Sequence, residues 1–364
     1  MIEMPNNVSM LDTPSLLVYP DIVSHNITTA MQMVSNDASR LRPHIKTHKT
    51  KEVIQLCQAR GVQSFKAATM SEMELLCECR VSDALLAMQP SGAKFKKLME
   101  LRERFPKTKI SCLVDDAGFC IHLADYLKYS SGQLDVFIDV NAGMNRTGIN
   151  IDHVEDLAVY INGLEGLHLR GLHVYDGHLY MPDLEERTIK AELIYSRIKT
   201  ITDHLAKKGI TMERPIMGGS PTFPIYAGKN DVICSPGTFV FWDAGYAESF
   251  PEQAFSPAVY ILGSVVSRPA EDRLCLDIGH KAVAAENPLH RRMVFPHHPT
   301  LKVVGQSEEH LVVEHSREDQ LNIGDYVLAC PIHVCPTIAL HEVLYIMEDG
   351  DITGAKWKVV ARKR

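Results

Sequence analysis

The sequence predicts a (β/α)8 TIM barrel followed by a C-terminal β-rich domain, and three observations carry that prediction. Eight short β-rich runs alternate with longer helical patterns over about 220 residues, the order that builds a parallel sheet with crossover helices. Each polar cluster that reads as functional falls at the C-terminal end of a strand candidate, where such barrels keep their chemistry. After about residue 250 the helical patterns give way to closely spaced strands and turn signals. The expected boundaries are a barrel over residues 18–248 and a β domain over 249–364, with residues 1–17 packed against the latter. An open doubly wound sheet is the fallback, but no GxGxxG opens a helix after a strand.

In chain order, the barrel strand candidates are LRPHIK (41–46), VQSFKAAT (62–69), DALLAMQ (83–89) and KISCLVD (109–115). LDVFIDVN (134–141), LRGLHVYDG (169–177), RPIMGG (214–219) and DVICSPGTF (231–239) complete the set. Helices are expected at KTKEVIQLCQARG, SEMELLCECR, KFKKLMELRERF and the long EERTIKAELIYSRIKTITDHLAKKG. In the last of these, Ile189, Leu193, Ile194, Ile198, Ile201 and Leu205 trace one apolar face at helical spacing. AVYILGSVVSR, RLCLDIG, TLKVVGQ, EHLVVEH, DYVLACP, EVLYIMED and DITGAKWKVVAR read as strands of the second domain. The early SLLVY either joins that domain or leads into the first helix.

Composition narrows the function. Of the 364 residues, 45% are hydrophobic and 23% charged, as in an ordinary globular protein, and the net charge of −7 gives no basic excess for nucleic-acid binding. A cationic leader followed by an apolar core is absent from the N-terminus, and no window approaches a membrane span, so neither secretion nor a membrane is expected. Nine scattered cysteines read as reduced thiols in a cytoplasmic protein. Cys77 and Cys79 form C-x-C without a second pair at zinc-finger spacing and read as buried helix or strand residues.

RPHIKTHK (42–49) packs five basic or imidazole side chains into eight residues. Pro43 biases the segment to an extended conformation, so His44 and Lys46 share one face and Ile45 the other. A lysine aimed into a barrel mouth among cations would have a lowered pKa and would then be usable as an amine nucleophile toward an aldehyde. The bland fate, a solvent-facing lysine, is expected for Lys49 and Lys51. MGGSPTFP (217–224) and SPGTF (235–239) offer bare N–H groups and hydroxyls to an anion, although each alone reads equally as a turn. Beside the lysine they suggest a phosphorylated aldehyde cofactor.

Three further clusters follow. In DVNAGMNRTG (139–148), Arg146 is either an ion-pair partner or a fixed charge beside a cofactor. In HVYDGH (173–178), Tyr175 offers a ring contact, Asp176 an orienting carboxylate and His178 a general base, against the plainer reading of a polar loop. In PIHVCPT (331–337), His333 and Cys335 at i and i+2 would project from one side of a strand and grip one borderline divalent ion, leaving open positions in its shell. A buried Cys and an exposed His explain that pair equally well. FPHHP (295–299) is expected to be a polar surface loop.

These motifs together resemble the fold-type III pyridoxal-5′-phosphate (PLP) enzymes, specifically the D-threonine aldolase and D-serine dehydratase group related to alanine racemase. The resemblance rests on DTPSLLVY, RPHIKTHK, NAGMNRTG, VYDGH, GGSPTFP, SPGTFVFWD and HVCPT, in order across nearly the whole chain. It implies an alanine racemase-like barrel, a homodimer, and small D-amino-acid substrates. It implies Lys46 as the lysine that carries PLP, Gly219, Ser220, Gly237 and Thr238 around the phosphate, and Tyr175 and Arg146 at the ring. It also implies a divalent metal, zinc or manganese, on His333 and Cys335.

Two departures from the aldolase pattern matter. Cys335 stands where the best-known bacterial aldolases have Asp, as in the zinc-dependent D-serine dehydratases. Met181 occupies the place of the aldolase base histidine, which leaves His178 as the candidate base. The resemblance favours retro-aldol cleavage to glycine and an aldehyde, with dehydration next, then racemisation, then non-catalytic PLP binding; the C-terminal domain and the metal pair count against the last.

Overall fold

The computed structural model describes residues 2–128, 132–316 and 319–363. Within them the chain divides into two compact units, one made of residues up to 29, 47–56 and 238–363, the other of residues 30–46 and 57–237. The chain opens with strand β1 (Ser15–Val18) and helix α1 (Pro20–Met33).

The unit containing residues 57–237 is a parallel barrel. After α2 (Lys51–Gln58) come β2 (Ser64–Ala67), α3 (Met70–Glu78), β3 (Asp83–Leu86), α4 (Ala93–Arg104), β4 (Lys109–Val114) and α5 (Ala117–Leu127). β5 (Leu134–Asn141), the short β6 (Ile149–Asn150), α6 (Val154–Asn162), β7 (Leu167–Val174), α7 (Leu184–Lys207), β8 (Ile216–Met217), α8 (Phe223–Ala227) and β9 (Ile233–Cys234) follow. The strands run in the order β2-β3-β4-β5-β7-β8-β9, with every pair parallel and β6 beside β5.

The segment read as the first strand closes the ring with two isolated bridges rather than a ladder. Leu41 pairs with Cys234 of β9 and His44 with Lys66 of β2. Pro43 explains the gap, because it has no N–H to donate, although its carbonyl still accepts from Lys66 N–H at 2.9 Å. The strands are legible as near-continuous apolar runs because those of a barrel are covered on both faces.

Inside the barrel, Leu85, Leu113, Phe137, Ile216 and Ile233 form an apolar cluster. The guanidinium groups of Arg42 and Arg170 lie 5.6 and 5.0 Å from the ring centre of Phe137. Both arginines bind Asp83. Arg42 donates to its two oxygens at 3.0 and 2.9 Å, and Arg170 donates to one at 2.5 Å while also pairing with Glu213. Arg42, Arg170 and Asp83 are nearly inaccessible to solvent, so Arg42 depends on Asp83 for compensation, whereas Arg170 has Glu213 as well.

Local signals set the helix ends. Thr69, at the end of β2, is a helix cap: its hydroxyl accepts the Glu72 N–H, and the Glu72 carboxylate reaches back to the Ala68 N–H. The long helix α7 buries the C-terminal part of the face read in the sequence, Ile198, Ile201 and Leu205, but not its start. Arg187, Ala191, Ile198, Ile201 and Leu205 are buried, whereas Ile189 and Leu193 are 57% and 65% exposed. Those two stand two residues, or about 200° of helical turn, beyond the buried Arg187 and Ala191. Arg187 Nη1 donates to the Met181 carbonyl at 2.6 Å, which helps an arginine occupy an inward position.

The other unit is built on a mixed sheet. Its strands are β10 (Val259–Ala270), β11 (Arg273–Leu276), β12 (Met293–Val294), β13 (Lys302–Gln306), β14 (Leu311–Glu314), β15 (Tyr326–Pro331), β16 (Val343–Glu348) and β17 (Asp351–Lys358), with helices α9 (Ala244–Ser249) and α10 (Val334–Leu340). The order is β13-β14-β11-β10-β1-β16-β17, and β15 pairs with β10 and β12. Strand β1 lies antiparallel to β10 and parallel to β16. Leu17 of β1 enters a core with Tyr260, Leu262, Leu328, Cys330, Met347 and Ile352. The FPHHP loop is more embedded than a surface loop: Phe295 is buried, and His297 Nε2 lies 2.6 Å from the Ile2 carbonyl.

All nine cysteines are free thiols; Cys77 is buried in α3 and Cys79 half-buried at its end. Among the described residues, no helix is long and apolar enough to cross a membrane.

Candidate active site

Lys46 is the last barrel residue before the chain enters the other unit, and its N–H donates to His44 Nδ1 at 3.3 Å. Its amine faces the ring of Tyr175, 5.9 Å from the centroid. Two other cations face the same ring: Lys66 of β2 at 5.9 Å and Arg146 of the loop after β5 at 5.0 Å. The structure therefore gathers Lys46, Arg146 and Tyr175 from three separate sequence clusters and adds Lys66.

Of the basic groups in RPHIKTHK, Lys46 is the one found facing Tyr175. Arg42 is committed to Asp83. His48 is buried, with its Nδ1 accepting the Thr50 N–H at 3.2 Å and its ring edge-on to Phe241. Burial first, then Lys49, hold its pKa down at about 3, so it is a neutral imidazole.

Lys66 belongs to a chain that sequence reading missed. Its Nζ lies 3.1 Å from His173 Nε2, and His173 Nδ1 lies 2.7 Å from Asp139 Oδ1. The Thr147 hydroxyl donates to the other Asp139 oxygen at 2.8 Å. Burial opposes ionisation of Asp139, but its bonds to His173 and Thr147 hold the carboxyl below its ordinary range. Burial, then the charge of Lys46, bring Lys66 down to about 7. The available signals were a lysine within the apolar run SFKAA and an aspartate within LDVFIDVN, both at barrel-strand positions.

The loop after β5 is shaped by its own side chains. Asn141 Oδ1 accepts the N–H groups of Gly143 and Asn145 at 3.0 and 3.1 Å, curling the chain that carries Arg146. Gly148 has φ +98°, and a β-carbon there would lie 2.6 Å from the Asn141 nitrogen, so only glycine fits. His178 is exposed and covers Gly143, whose absent β-carbon would sit 2.9 Å from Nε2. Partial desolvation, with Lys190, lowers the His178 imidazole. Asp176 turns inward instead: it accepts from Thr222 Oγ1 and Tyr226 Oη, both at 2.9 Å, and ties the turn after β7 to α8.

The two glycine loops converge. Gly237 N–H points to the Ser220 hydroxyl at 3.4 Å, and Ser220 is buried. Gly219 lies under Tyr175, where a β-carbon would come within 2.8 Å of the ring. Thr238, expected with this loop, has its hydroxyl 3.7 Å from Cys335 Sγ, and Thr47 Oγ1 lies 3.1 Å from the same sulfur.

His333 and Cys335 stand at the start of α10, not on a strand. His333 is the residue before the helix and Cys335 lies in its first turn, where Pro336 is tolerated. His333 Nδ1 lies 2.5 Å from Glu286 Oε1, and the imidazole is also hydrogen-bonded to Cys335. Among the described residues, no three His, Cys, Asp or Glu side chains cluster as a metal cage.

The alanine racemase N-terminal domain model matches residues 18–244, more than half of the chain. The chain belongs to that family. Residues 258–347 match a putative serine dehydratase domain, and the two together mark a fold-type III PLP enzyme. The D-threonine aldolase of an Arthrobacter species is 28% identical over 363 residues, 98% of this chain and 94% of its own. The 3-hydroxy-D-aspartate aldolase of Paracoccus denitrificans is 25% identical over 370 residues, 97% of this chain and 93% of its own. The crystal structure of D-threonine aldolase from Filomicrobium marinum superposes with a TM-score of 0.88 at 24% identity, covering 99% and 98% of the two chains.

The barrel fits the family's cofactor. Three cations share one ring, while the neighbouring Asp139 carboxylate is already engaged by His173 and Thr147, so the pocket favours an anionic phosphate ester. The imidazole and thiol donors of His333 and Cys335 suit zinc but supply only two positions of a shell.

Proposed function

We propose that the protein is a PLP- and divalent-metal-dependent lyase of D-β-hydroxy amino acids, cleaving a D-threonine-like substrate to glycine and an aldehyde. The observation that carries this reading is the meeting of the Lys46 amine with Lys66 and Arg146 around Tyr175. PLP bound there supplies an electron sink for bonds at Cα. Lys46 holds the cofactor, Tyr175 and Arg146 flank its ring, and Gly219, Ser220, Gly237 and Thr238 hold its phosphate. His333 and Cys335 hold zinc or manganese, and His178 takes the hydroxyl proton. The working form is a cytoplasmic homodimer.

Dehydration of D-serine-like substrates is the second reading. The His333–Cys335 pair favours it, as do relatives named D-threo-3-hydroxyaspartate dehydratase and D-serine dehydratase. One experiment separates the two. The PLP-loaded protein is given D-threonine or D-serine with zinc, manganese or chelator. Acetaldehyde with glycine is the expected product pair; pyruvate or 2-oxobutanoate with ammonia replaces the aldolase by the dehydratase. A protein that stays colourless with PLP, or a Lys46→Ala variant that keeps an unchanged visible band, overturns both.

A further inference from the structure

The reading above gives Lys66, His173 and Asp139 no step in the reaction, although they form a continuous hydrogen-bonded chain inside the barrel. All three are buried, at 2%, 5% and 6% exposure. The ionised Asp139 carboxylate only accepts, so His173 Nδ1 carries the hydrogen and Nε2 presents its lone pair to Lys66. That tautomer makes Lys66 the donor. The Lys66 amine ends beside the same Tyr175 ring as Lys46, each 5.9 Å from its centre.

We propose that Lys66 is the proton carrier that recharges the Lys46 amine whenever a substrate displaces it from the cofactor, with His173 and Asp139 as the positioning residues. The inference rests on the PLP-lyase reading. The incoming amino acid arrives as an ammonium ion and must shed one proton before its nitrogen can attack; neutral Lys66 takes that proton. Lys66 then gives it to the freed neutral Lys46 amine, and Lys46 as ammonium delivers it to the substrate carbon. Lys46 is left neutral and ready to reclaim the cofactor. One proton enters on the substrate nitrogen and leaves on the product carbon; the hydroxyl proton taken by His178 goes to the nitrogen of the departing glycine, and no bond to His173 changes.

The groups around Lys66 set the pH at which this works. Arg42 and Lys46 of the first stave, Arg146 after β5, and burial all favour the neutral amine, whereas Asp139 favours the ammonium. His173 accepts from it, Tyr175 offers its ring face, and Asp176 lies within its electrostatic reach. The balance brings the amine to about 7, where both forms are populated at neutral pH.

The test uses Lys66→Met, Lys66→Arg and His173→Gln in PLP-loaded protein, with the visible band as the control for folding and cofactor. Stopped-flow absorbance on mixing with D-threonine reads the transfer of PLP from Lys46 to substrate, separately from product release. Wild-type transfer is expected to show a pH step near 7. Lys66→Met and Lys66→Arg are both expected to lose it and slow by roughly a hundredfold, since arginine keeps the charge but releases no proton. A wild-type rate and step in either lysine variant overturns the proposal. If wild-type protein exchanges no substrate, the lyase reading fails first, and the cofactor-free protein decides the relay. There, the 13Cε resonance assigned to Lys66 by its loss in Lys66→Met should titrate near neutrality and shift in His173→Gln. A Lys66 that titrates with the surface lysines overturns the relay.

Discussion

The phenol of Tyr175 folds back over Gly177, so that a β-carbon on Gly177 would lie 2.4 Å from the phenol oxygen. The ring that Lys46, Lys66 and Arg146 share is therefore held by a residue that contributes no side chain. Gly177→Ala should displace the ring at a local cost of about 1–3 kcal/mol. The expected result is PLP binding weakened by roughly tenfold or more, with the circular dichroism spectrum unchanged. Unaltered PLP affinity in this variant removes Tyr175 from the cofactor site.

Asp83 accepts from both Arg42 and Arg170. Asp83→Ala leaves two buried guanidinium groups facing each other, and the expected loss is about 3–5 kcal/mol in urea unfolding. A loss below about 1 kcal/mol means that water compensates the arginines.

Burial raises Asp176 to about 6 despite the bonds from Tyr226 and Thr222. Because the folded pKa lies above the unfolded one, this carboxyl stabilises the fold most below its unfolded pKa. That contribution is lost as pH rises through about 6. The amount is about 3 kcal/mol, from 1.36 kcal/mol per pKa unit. Unfolding free energy measured from pH 4 to 7 should carry this decline in the wild type, and Asp176→Asn should flatten it.

Glu286 holds His333 by Nδ1, which leaves Nε2 as the nitrogen available to a metal ion. Glu286→Ala is expected to weaken zinc binding by roughly 10–100-fold in calorimetry, with the PLP band retained. Equal zinc affinity in wild type and variant excludes this orienting role.

Along α7, Leu193→Ala should change stability by no more than about 0.5 kcal/mol, because the side chain stands in solvent. Ile198→Ala, a few residues away and buried, should cost about 2–5 kcal/mol in the same denaturation assay. Similar losses at both positions mean that the exposed stripe is covered in solution.

Much of the architecture was legible because buried parallel strands write themselves as apolar runs; β5 coincides with LDVFIDVN residue for residue. The inward face of α7 was legible at Ile198, Ile201 and Leu205 but not at Ile189 and Leu193, because Arg187, bonded to the Met181 carbonyl, and Ala191 take the inward positions there. His333 and Cys335 were legible as a pair but not as the start of a helix, since Pro336 argues against one everywhere except its first turn.

The sequence by itself determined the barrel, the β-rich second domain and the family, because strand patterning and the order of short motifs are local properties. It also singled out Lys46, Arg146 and Tyr175, each by a motif near it in the chain. Only the tertiary structure decided what surrounds that lysine. RPHIKTHK carries five basic or imidazole groups, yet Asp83 takes Arg42 and burial neutralises His48. The partners that remain, Lys66, His173 and Asp139, come from three other strands. Closing the ring brings them together, since inward side chains from distant strands meet only there.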